Sequence, residues 1–358
     1  MFGDFLVLLI PVKIHQKYME RCIQLAKNGL GTTYPNPLVG CVIVHENSII
    51  GEGWHDWPGK PHAEVNAIRS VKDKTLLRQA TLYVNLEPCS HFGKTPPCAD
   101  LIIEMKIPQV VIGSKDPNLL VAGRGIQKLR DAGVKVDVGI LGAACDFLNK
   151  RFFAFHQKNR PYIFLKWAQT RRGFVAPLGK EDRNPVWISN SYSRQWTHKM
   201  RAEEQAILVG TETVLKDNPS LTTRDWEGNS PVRIVLDQQL RIPPTSKVFD
   251  QNAKTIVLTQ IKSAEREGLI YETVDFGKNL PGTICAILLK YHLQSLIVEG
   301  GSKTLQSFID ANLWDEAFVF EGTTTFDAGI KAPKLKGTLE SKTEIATDVL
   351  LHYSNPEL

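Results

Sequence analysis

Three side chains in the first third of the sequence have the types and order of a metal site. His62 comes first, and Cys89 and Cys98 lie further along, each directly after a proline. One imidazole and two thiolates are suitable zinc ligands, and three protein ligands leave a fourth tetrahedral position for water. An open position favours a catalytic site, because a structural zinc site is closed by four protein ligands.

Glu64 has the position of an acid–base residue beside this site. It lies two residues after His62, near a predicted helix start, so its carboxylate can face the bound water without being a ligand. Zinc lowers the pKa of bound water to about 7. The glutamate would then take the proton of that water and pass it to a departing amine. Taken singly, a His-x-Glu pair is common by chance and cysteines are often small buried side chains. Taken together, the four residues favour zinc-dependent chemistry.

The elements around these residues alternate between helices and strands. Apolar spacing predicts an amphipathic helix over Ile14 to Leu30, and Glu46-Asn47 would turn a hairpin between two short strands. The remaining predicted elements are strands at Val39 to Val44, Ser48 to Gly53, Thr81 to Leu86 and Gln109 to Ile112, helices from His62 and near Cys98 to Met105, and a last helix and strand ending by Val138. This alternation predicts a layered α/β domain.

A second alternating series follows a mostly polar stretch between Asp146 and Arg160, which predicts a domain boundary there. Its predicted strands are Tyr162 to Trp167, Ala206 to Val209, Val232 to Leu236, Thr255 to Leu258, Ser295 to Val298 and Ala317 to Phe320. We therefore predict two domains, 14–150 and 151–358. Residues 1–13 are expected to be a disordered extension or to reflect an upstream start.

Composition limits the classes of partner. With 358 residues and 42% hydrophobic content, the chain can bury a core in each of two domains, and its net charge of +5 is spread over both halves. The six cysteines are scattered, as in proteins whose thiols stay reduced. The apolar run from Phe5 to Val12 is too short to span a bilayer and lacks the pattern of a secretion signal. We expect a cytoplasmic protein with neither nucleic acid nor membrane as a partner.

Two glycine turns in the second half are weaker signals. The segment from Leu296 to Glu299 is a predicted strand that runs into Gly300-Gly301 and then a predicted helix through Ile309. Backbone amides at such a helix start bind phosphate, and glycine lets a ligand approach closely. Simple chain reversal is the more common reason for such a turn. The segment Gly210 to Thr213 has the same ambiguity.

Residues from about 18 to 145 resemble the deaminase domain of the bifunctional deaminase/reductase family of riboflavin biosynthesis, within the cytidine deaminase-like superfamily. Cytidine and tRNA adenosine deaminases have a short Pro-Cys-x-x-Cys spacing, whereas the long insert between Cys89 and Cys98 is typical of the riboflavin enzyme. The resemblance implies that His62, Cys89 and Cys98 bind Zn²⁺ and that Glu64 is the proton shuttle. It also implies contacts to the pyrimidine and ribose phosphate from Asn36, His55, His91, Lys94, Asp116 and Asn118.

The second domain is similar to the reductase domain of the same family, which resembles dihydrofolate reductase in fold. The resemblance implies an NADPH site at Gln169, Trp187, Thr213, Asp217 and Gly301, and a substrate site at Arg201, Leu221, Arg224 and Glu299. The two arginines would grip a 5′-phosphate. The sequence departs from the family at Arg171-Arg172-Gly173, where an aspartate usually precedes the glycine.

The implied activity is hydrolytic deamination of 2,5-diamino-6-ribosylamino-4(3H)-pyrimidinone 5′-phosphate, followed by NADPH-dependent reduction of the ribosyl group to a ribityl chain. The expected partners are small phosphorylated pyrimidines and further copies of the chain. Two alternatives remain open: a deaminase of another nucleoside or tRNA base with an unrelated or inactive C-terminal domain, and a zinc-binding scaffold without activity. Lys94 and the lack of a basic nucleic-acid surface count against a tRNA base.

Overall fold

The structure is a computed structural model that describes residues 3–90, 96–118, 122–179, 186–264, 266–277 and 279–357, with the backbone alone for residues 3–12. The chain divides into two compact units, Met1–Asn159 and Arg160–Leu358. The first unit extends beyond the predicted end at residue 150 because Lys150–Gln157 forms a further helix within it.

The first unit alternates between helices and strands, as predicted. Its elements are α1 (Gly3–Ala26), β1 (Gly40–His45), β2 (Ser48–Trp54), α2 (Ala63–Ser70), β3 (Thr81–Leu86), α3 (Cys98–Glu104), β4 (Gln109–Ser114), α4 (Arg124–Asp131), β5 (Lys135–Val138), α5 (Gly142–Leu148) and α6 (Lys150–Gln157).

A five-stranded sheet of order β2-β1-β3-β4-β5 forms the centre of this unit. The strand β1 is antiparallel to β2 and β3, whereas β3, β4 and β5 run parallel. Side chains alternate between the two faces of each strand. Leu82 and Val84 of β3 pack with α2, α3 and α4 on one face, while Tyr83 packs with α1 and Cys145 on the other. The predicted three-layer α/β architecture is confirmed.

The prediction for the start of this unit was wrong. The first helix begins at Gly3 rather than near Ile14 and ends at Ala26, followed by a short 3-10 turn at Lys27–Gly29. Residues 3–13 are therefore helical instead of disordered, since the apolar run before Ile14 continues the helix. The stretch after Asp146 is largely helical, because α6 occupies most of it, and the two units divide at its end, between Asn159 and Arg160.

The second unit is also built on one large sheet. Its elements are β6 (Tyr162–Thr170), β7 (Phe174–Pro177), α7 (Ser191–Glu203), β8 (Ala206–Gly210), α8 (Thr211–Asp217), β9 (Val232–Leu236), β10 (Thr255–Thr259), β11 (Leu269–Thr273), α9 (Leu280–Lys290), β12 (Ser295–Gly300), α10 (Ser302–Asp310), β13 (Glu316–Gly322), β14 (Gly329–Lys331), β15 (Thr338–Ile345) and β16 (Asp348–Ser354).

Nine strands of this unit form a sheet of order β11-β10-β9-β8-β12-β6-β13-β16-β15, and β7 pairs separately with β14. The strands from β11 to β13 in this order are parallel, and β16 and β15 add an antiparallel edge. The chain leaves β6, forms β8 to β11, and returns to place β12 between β8 and β6. Ligands of such sheets bind at the carboxyl ends of the strands where the order reverses, so this edge is where a site is expected.

The core of the second unit lies on both faces of the sheet. Leu165 and Leu208 pack on the face that carries α9 and α10, whereas Phe164 and Ile207 pack on the face that carries α7 and α8. The α/β fold predicted for this half is confirmed.

Candidate active sites

The carboxyl end of β3 and the starts of α2 and α3 bring the metal-ligating residues together. Cys89 follows β3, the third of the five strands. His62 is the residue that caps the start of α2, and Cys98 is the first residue of α3, preceded by Pro97 at the cap position. Because both helices pack on the same face of the sheet, their starts converge beside the strand end.

The three donor atoms lie close enough to share one ion. Nδ1 of His62 is 3.3 Å from Sγ of Cys98 and 3.5 Å from Sγ of Cys89, and all three atoms lie within 4.8 Å of one another. The hydrogen bond from Cys98 lowers the pKa of the Cys89 thiol, against the opposing effect of burial. A nitrogen and two sulfurs at these separations fit a tetrahedral zinc ion with one remaining position.

Glu64 is buried in the first turn of α2, with 3% of its surface exposed. Burial raises the pKa of its carboxyl group to about 7, and the nearby Cys89 sulfur adds to this effect. A carboxyl group with such a pKa exchanges a proton near neutral pH, which suits general acid–base catalysis.

Asn36 and His55 form one wall beside the metal-ligating residues. Nδ2 of Asn36 donates to Nε2 of His55 at 2.9 Å, and Nδ1 of His55 donates to the carbonyl of Pro61 at 3.2 Å. The rings of His55 and His62 meet edge to face with centroids 5.3 Å apart. Burial lowers the pKa of His55, so this ring is neutral at physiological pH and keeps one donor and one acceptor nitrogen.

Asp116 and Asn118 follow β4, the parallel neighbour of β3, at the same edge of the sheet. The carboxylate of Asp116 accepts a hydrogen bond from the amide of Asn118 at 2.8 Å, which closes a local turn. The amide of Asp116 donates to Glu87 at 3.3 Å. The remaining two predicted substrate residues, His91 and Lys94, lie outside the described residues.

In the second unit, Glu299 lies at the carboxyl end of β12 between two cations. Its carboxylate is 3.0 Å from Nζ of Lys166 on β6 and 2.9 Å from Nη2 of Arg201 on α7. Burial alone would raise the pKa of Glu299, but Arg201 and Lys166 lower it to about 2. The three side chains are about 10% exposed, so they form a buried ionic cluster at the edge where the topology places a site.

The predicted substrate residues of this unit meet around Thr222. Nη1 of Arg201 donates to the carbonyl of Thr222 at 3.2 Å, and Nη1 of Arg224 donates to its hydroxyl at 3.1 Å. Leu221, directly before it, is buried with a φ of 57°. The structure thus brings Arg201, Leu221, Arg224 and Glu299 together. Most of the N–H donors of Arg201 are used in hydrogen bonds to Glu299 and Thr222.

Thr213 and Gly301 form the close-approach turn of the second unit. A Cβ added at Gly300 would lie 3.0 Å from Oγ1 of Thr213, and one at Gly301 would lie 3.6 Å from it. Gly301 has a φ of +69°, which favours glycine. The two glycines therefore let the end of β12 and the start of α10 pack closely against Thr213 in the first turn of α8.

The other predicted cofactor residues have different surroundings. Asp217 ends α8, the helix that carries Thr213. Gln169 accepts from the indole of Trp167 at 2.8 Å and donates to Glu321 at 3.0 Å. Trp187 is 56% exposed, with the guanidinium of Arg194 4.6 Å from its ring centroid.

The turn that departs from the family pattern has its glycine in the left-handed region. Gly173 has a φ of +74°, and its amide donates to the carbonyl of Thr170 at 2.8 Å. The guanidinium of Arg172 reaches the carbonyl of Phe326 at 3.4 Å.

Comparison with known proteins agrees with the two sites. Residues 12–114 match the cytidine and deoxycytidylate deaminase zinc-binding region, and residues 161–329 match the RibD C-terminal domain. Riboflavin biosynthesis protein RibD of Aquifex aeolicus is 43% identical over 333 residues, covering 89% of this chain and 92% of the relative. The Escherichia coli protein of the same name is 36% identical, covering 90% and 88%.

Solved structures give the same result. The diaminohydroxyphosphoribosylaminopyrimidine deaminase/5-amino-6-(5-phosphoribosylamino)uracil reductase of Thermotoga maritima superposes with a TM-score of 0.88 at 38% identity, covering 96% of this chain and 99% of that one. Form 1 of Acinetobacter baumannii RibD superposes with a TM-score of 0.86 at 32% identity and the same coverage.

Fold and sites define a two-part enzyme, a zinc-binding deaminase joined to an NADPH-dependent reductase. The chain belongs to the RibD family of bifunctional riboflavin-biosynthesis proteins. Because the matches run through both units, an unrelated C-terminal half is not favoured. Among the described residues, no helix is both long and apolar enough to cross a membrane.

Sequence reasoning missed two residues at these sites. Lys166 is not among the predicted site residues, although it completes the Glu299 cluster. Glu87 is likewise absent from the predicted site residues, and its buried carboxylate accepts a hydrogen bond from the amide of Asp116 after β4. The signal that could have identified Glu87 is an acidic residue directly after an apolar strand.

Proposed function

We propose that His62, Cys89 and Cys98 hold the zinc ion and that Glu64 carries protons during deamination of the diaminopyrimidinone ribotide. Bound zinc supplies a Lewis acid that makes water nucleophilic at neutral pH. The observation that carries the proposal is the convergence of one nitrogen and two sulfurs within 4.8 Å beside a buried carboxyl group.

Glu64 performs the proton transfers in this scheme. The oxygen of water bonds to the ring carbon that carries the amine, and the bond from that carbon to nitrogen breaks. Glu64 takes a proton from the water and gives it to the leaving nitrogen, so that ammonia departs and the ring becomes a uracil. The pKa of about 7 for Glu64 supports this cycle, because both the protonated and the ionised carboxyl group are then populated near neutral pH.

The substrate is held from two sides of the zinc ligands. The amide of Asn36, oriented by His55, offers a donor and an acceptor to the pyrimidine edge. Asp116 and Asn118 approach from the end of β4 and suit the ribose hydroxyls. His91 and Lys94 complete the proposal as cationic contacts to the phosphate.

In the second unit, we propose that Thr213, Asp217, Gly301, Gln169 and Trp187 bind NADPH. NADPH supplies a hydride to the first carbon of the opened ribose, which becomes a ribityl chain. The positive φ of Gly301 at the start of α10, directly beside Thr213, supports the cofactor placement. Arg224 and Leu221 hold the phosphorylated sugar, and Arg201 orients the carboxylate of Glu299 toward it.

A coupled assay tests the proposal. The purified full chain is given the diaminopyrimidinone ribotide and NADPH, and ammonia and NADPH are followed together. We expect ammonia to appear first and one NADPH to be consumed for each ammonia. Deamination of cytidine, with no reaction of the ribotide, would refute the proposal.

We also propose that the chain forms a homo-oligomer and works in the cytoplasm. None of the six cysteines forms a disulfide, which suits a reducing compartment. Sedimentation velocity of the purified chain tests the first proposal, and cell fractionation tests the second.

A further inference from the structure

A buried carboxylate that plays no part in the roles above lies next to the zinc ligands. Glu87 is the first residue after β3 and comes two residues before Cys89. It is 6% exposed. Its two oxygens accept hydrogen bonds from four backbone amides, which belong to Asp116 (3.3 Å), Gly123 (2.9 Å), Gly125 (2.9 Å) and Ile126 (3.2 Å).

These four bonds join two separate parts of the unit. Asp116 follows β4, whereas Gly123 caps α4 and Gly125 and Ile126 lie in its first turn. Amides at a helix start have no partner within the helix, and a carboxylate there is favoured by the helix dipole and by charge-assisted hydrogen bonds. Glu87 therefore fixes both ends of the connection between β4 and α4 to the strand end that leads into Cys89.

The fit between α4 and this strand end is close. A Cβ added at Gly125 would lie 2.0 Å from the carbonyl oxygen of Pro88 and 3.3 Å from the carboxylate of Glu87. Only glycine allows the first turn of α4 to approach this near. Because Glu87 already binds these amides, the start of α4 does not provide the substrate phosphate with a binding site, and side chains must supply it.

The bonds continue from Glu87 to the proposed substrate residues. The amide of Asp116 donates to Glu87, and the carboxylate of Asp116 accepts from the amide of Asn118. We propose that Glu87 is a positioning residue for deamination, which holds Asp116 and Asn118 in register with the zinc ligand Cys89. This proposal rests on the proposed substrate role of those two residues.

The test compares Glu87→Gln with Glu104→Gln in the zinc-loaded full chain. Glu104 is an exposed residue of α3 and serves as the matched control. The amide group of glutamine places a donor against backbone donors, so we expect hydrogen exchange at the amides of Gly123, Gly125 and Ile126 to accelerate roughly tenfold or more. The zinc content should stay equal to that of the unmodified chain.

Kinetics separate positioning from general stability. We expect Glu87→Gln to raise the KM for the ribotide by about tenfold with a smaller change in kcat, because a displaced loop weakens binding in both ground and transition states. Glu87→Asp keeps the negative charge on a side chain that is one methylene shorter. Its KM should lie between the KM of the unmodified chain and that of Glu87→Gln. If the glutamine variant does not fold, the aspartate variant carries the same comparison of exchange, zinc content and KM.

Three results would overturn the proposal: unchanged exchange at those amides, faster exchange with an unchanged KM, or loss of zinc with the substitution. The last would mean that Glu87 supports the metal ligands rather than the substrate loop. Failure of the unmodified chain to release ammonia would count against the proposed deamination itself. This outcome can be distinguished from failure of the Glu87 proposal, because hydrogen exchange and zinc content are measured without turnover.

Discussion

Glu299→Gln removes one negative charge from between two buried cations without changing the shape of the side chain. In the folded chain, Glu299 accepts from Nζ of Lys166 and from Nε and Nη2 of Arg201. The substitution leaves both cations buried with no carboxylate to compensate them. We expect the second unit to lose stability at neutral pH.

The size of the loss follows from the pKa of Glu299. Burial opposes ionisation, but Arg201 and Lys166 lower the pKa from its ordinary 4.5 to about 2. This difference corresponds to about 3 kcal/mol of stability at pH 7. Removing one partner of a buried ion pair typically costs roughly 3–5 kcal/mol, so the two values agree.

The lowered pKa of Glu299 also determines how its contribution to stability changes with pH. Because the folded pKa lies below the unfolded one, the stabilising contribution is present above pH 4.5 and is lost as the pH falls toward 2. The difference in stability between the unmodified chain and Glu299→Gln should therefore be constant near neutral pH and shrink in acid.

Urea unfolding provides the assay, followed by hydrogen exchange in peptides of β12 and α7 so that the second unit is measured on its own. Glu212→Gln is the matched control, since the pair of Glu212 and Arg241 is more than half exposed and surface pairs contribute only about 0–1 kcal/mol. A loss below about 1 kcal/mol for Glu299→Gln at pH 7, or a loss that does not shrink in acid, would refute the reasoning.

Three further predictions follow from the sites. Glu64→Gln should reduce ammonia release by roughly 10²–10⁴-fold while zinc stays bound, because the variant lacks the proton carrier; full activity would assign the shuttle to another group. Removal of zinc by a chelator should abolish ammonia release but leave NADPH oxidation with the deaminated intermediate unchanged, since the two sites use different residues; loss of both would contradict independent sites. Arg224→Ala should raise the reductase KM by about tenfold with kcat nearly unchanged. Arg201→Ala should in addition lower the midpoint of urea unfolding, because Arg201 compensates the buried charge of Glu299. Equal effects of the two substitutions on stability would argue against assigning substrate binding to Arg224 and charge compensation to Arg201.

Apolar periodicity and the turn residues between apolar runs were sufficient to predict where most of the strands lie along the chain. The strands Thr81–Leu86 and Val232–Leu236 have the predicted limits, because an apolar run bounded by polar residues marks a buried strand clearly. The strands Thr338–Ile345 and Asp348–Ser354 were not predicted. The first is almost entirely exposed at the sheet edge, so its side chains show no apolar alternation.

The zinc-ligating residues were predictable because their chemistry is restricted to a few residue types at recognisable spacing. The Glu299 cluster was not predictable from the residues alone, since Lys166 and Glu299 are distant in sequence and meet only because β6 and β12 are neighbours. The role of Glu87 was hidden for the same reason: its partners are backbone amides, which carry no sequence signal. Long-range contacts of this kind require the fold.

The most direct test of the central claim is the metal content of the purified chain, measured by elemental analysis beside Cys98→Ala and the control Cys285→Ala. Cys285 is a buried free cysteine of the second unit. We expect one zinc per chain in the unmodified protein and in Cys285→Ala, and loss of zinc in Cys98→Ala. A chain without stoichiometric zinc, or a Cys98→Ala variant that keeps it, would contradict the assignment of this site.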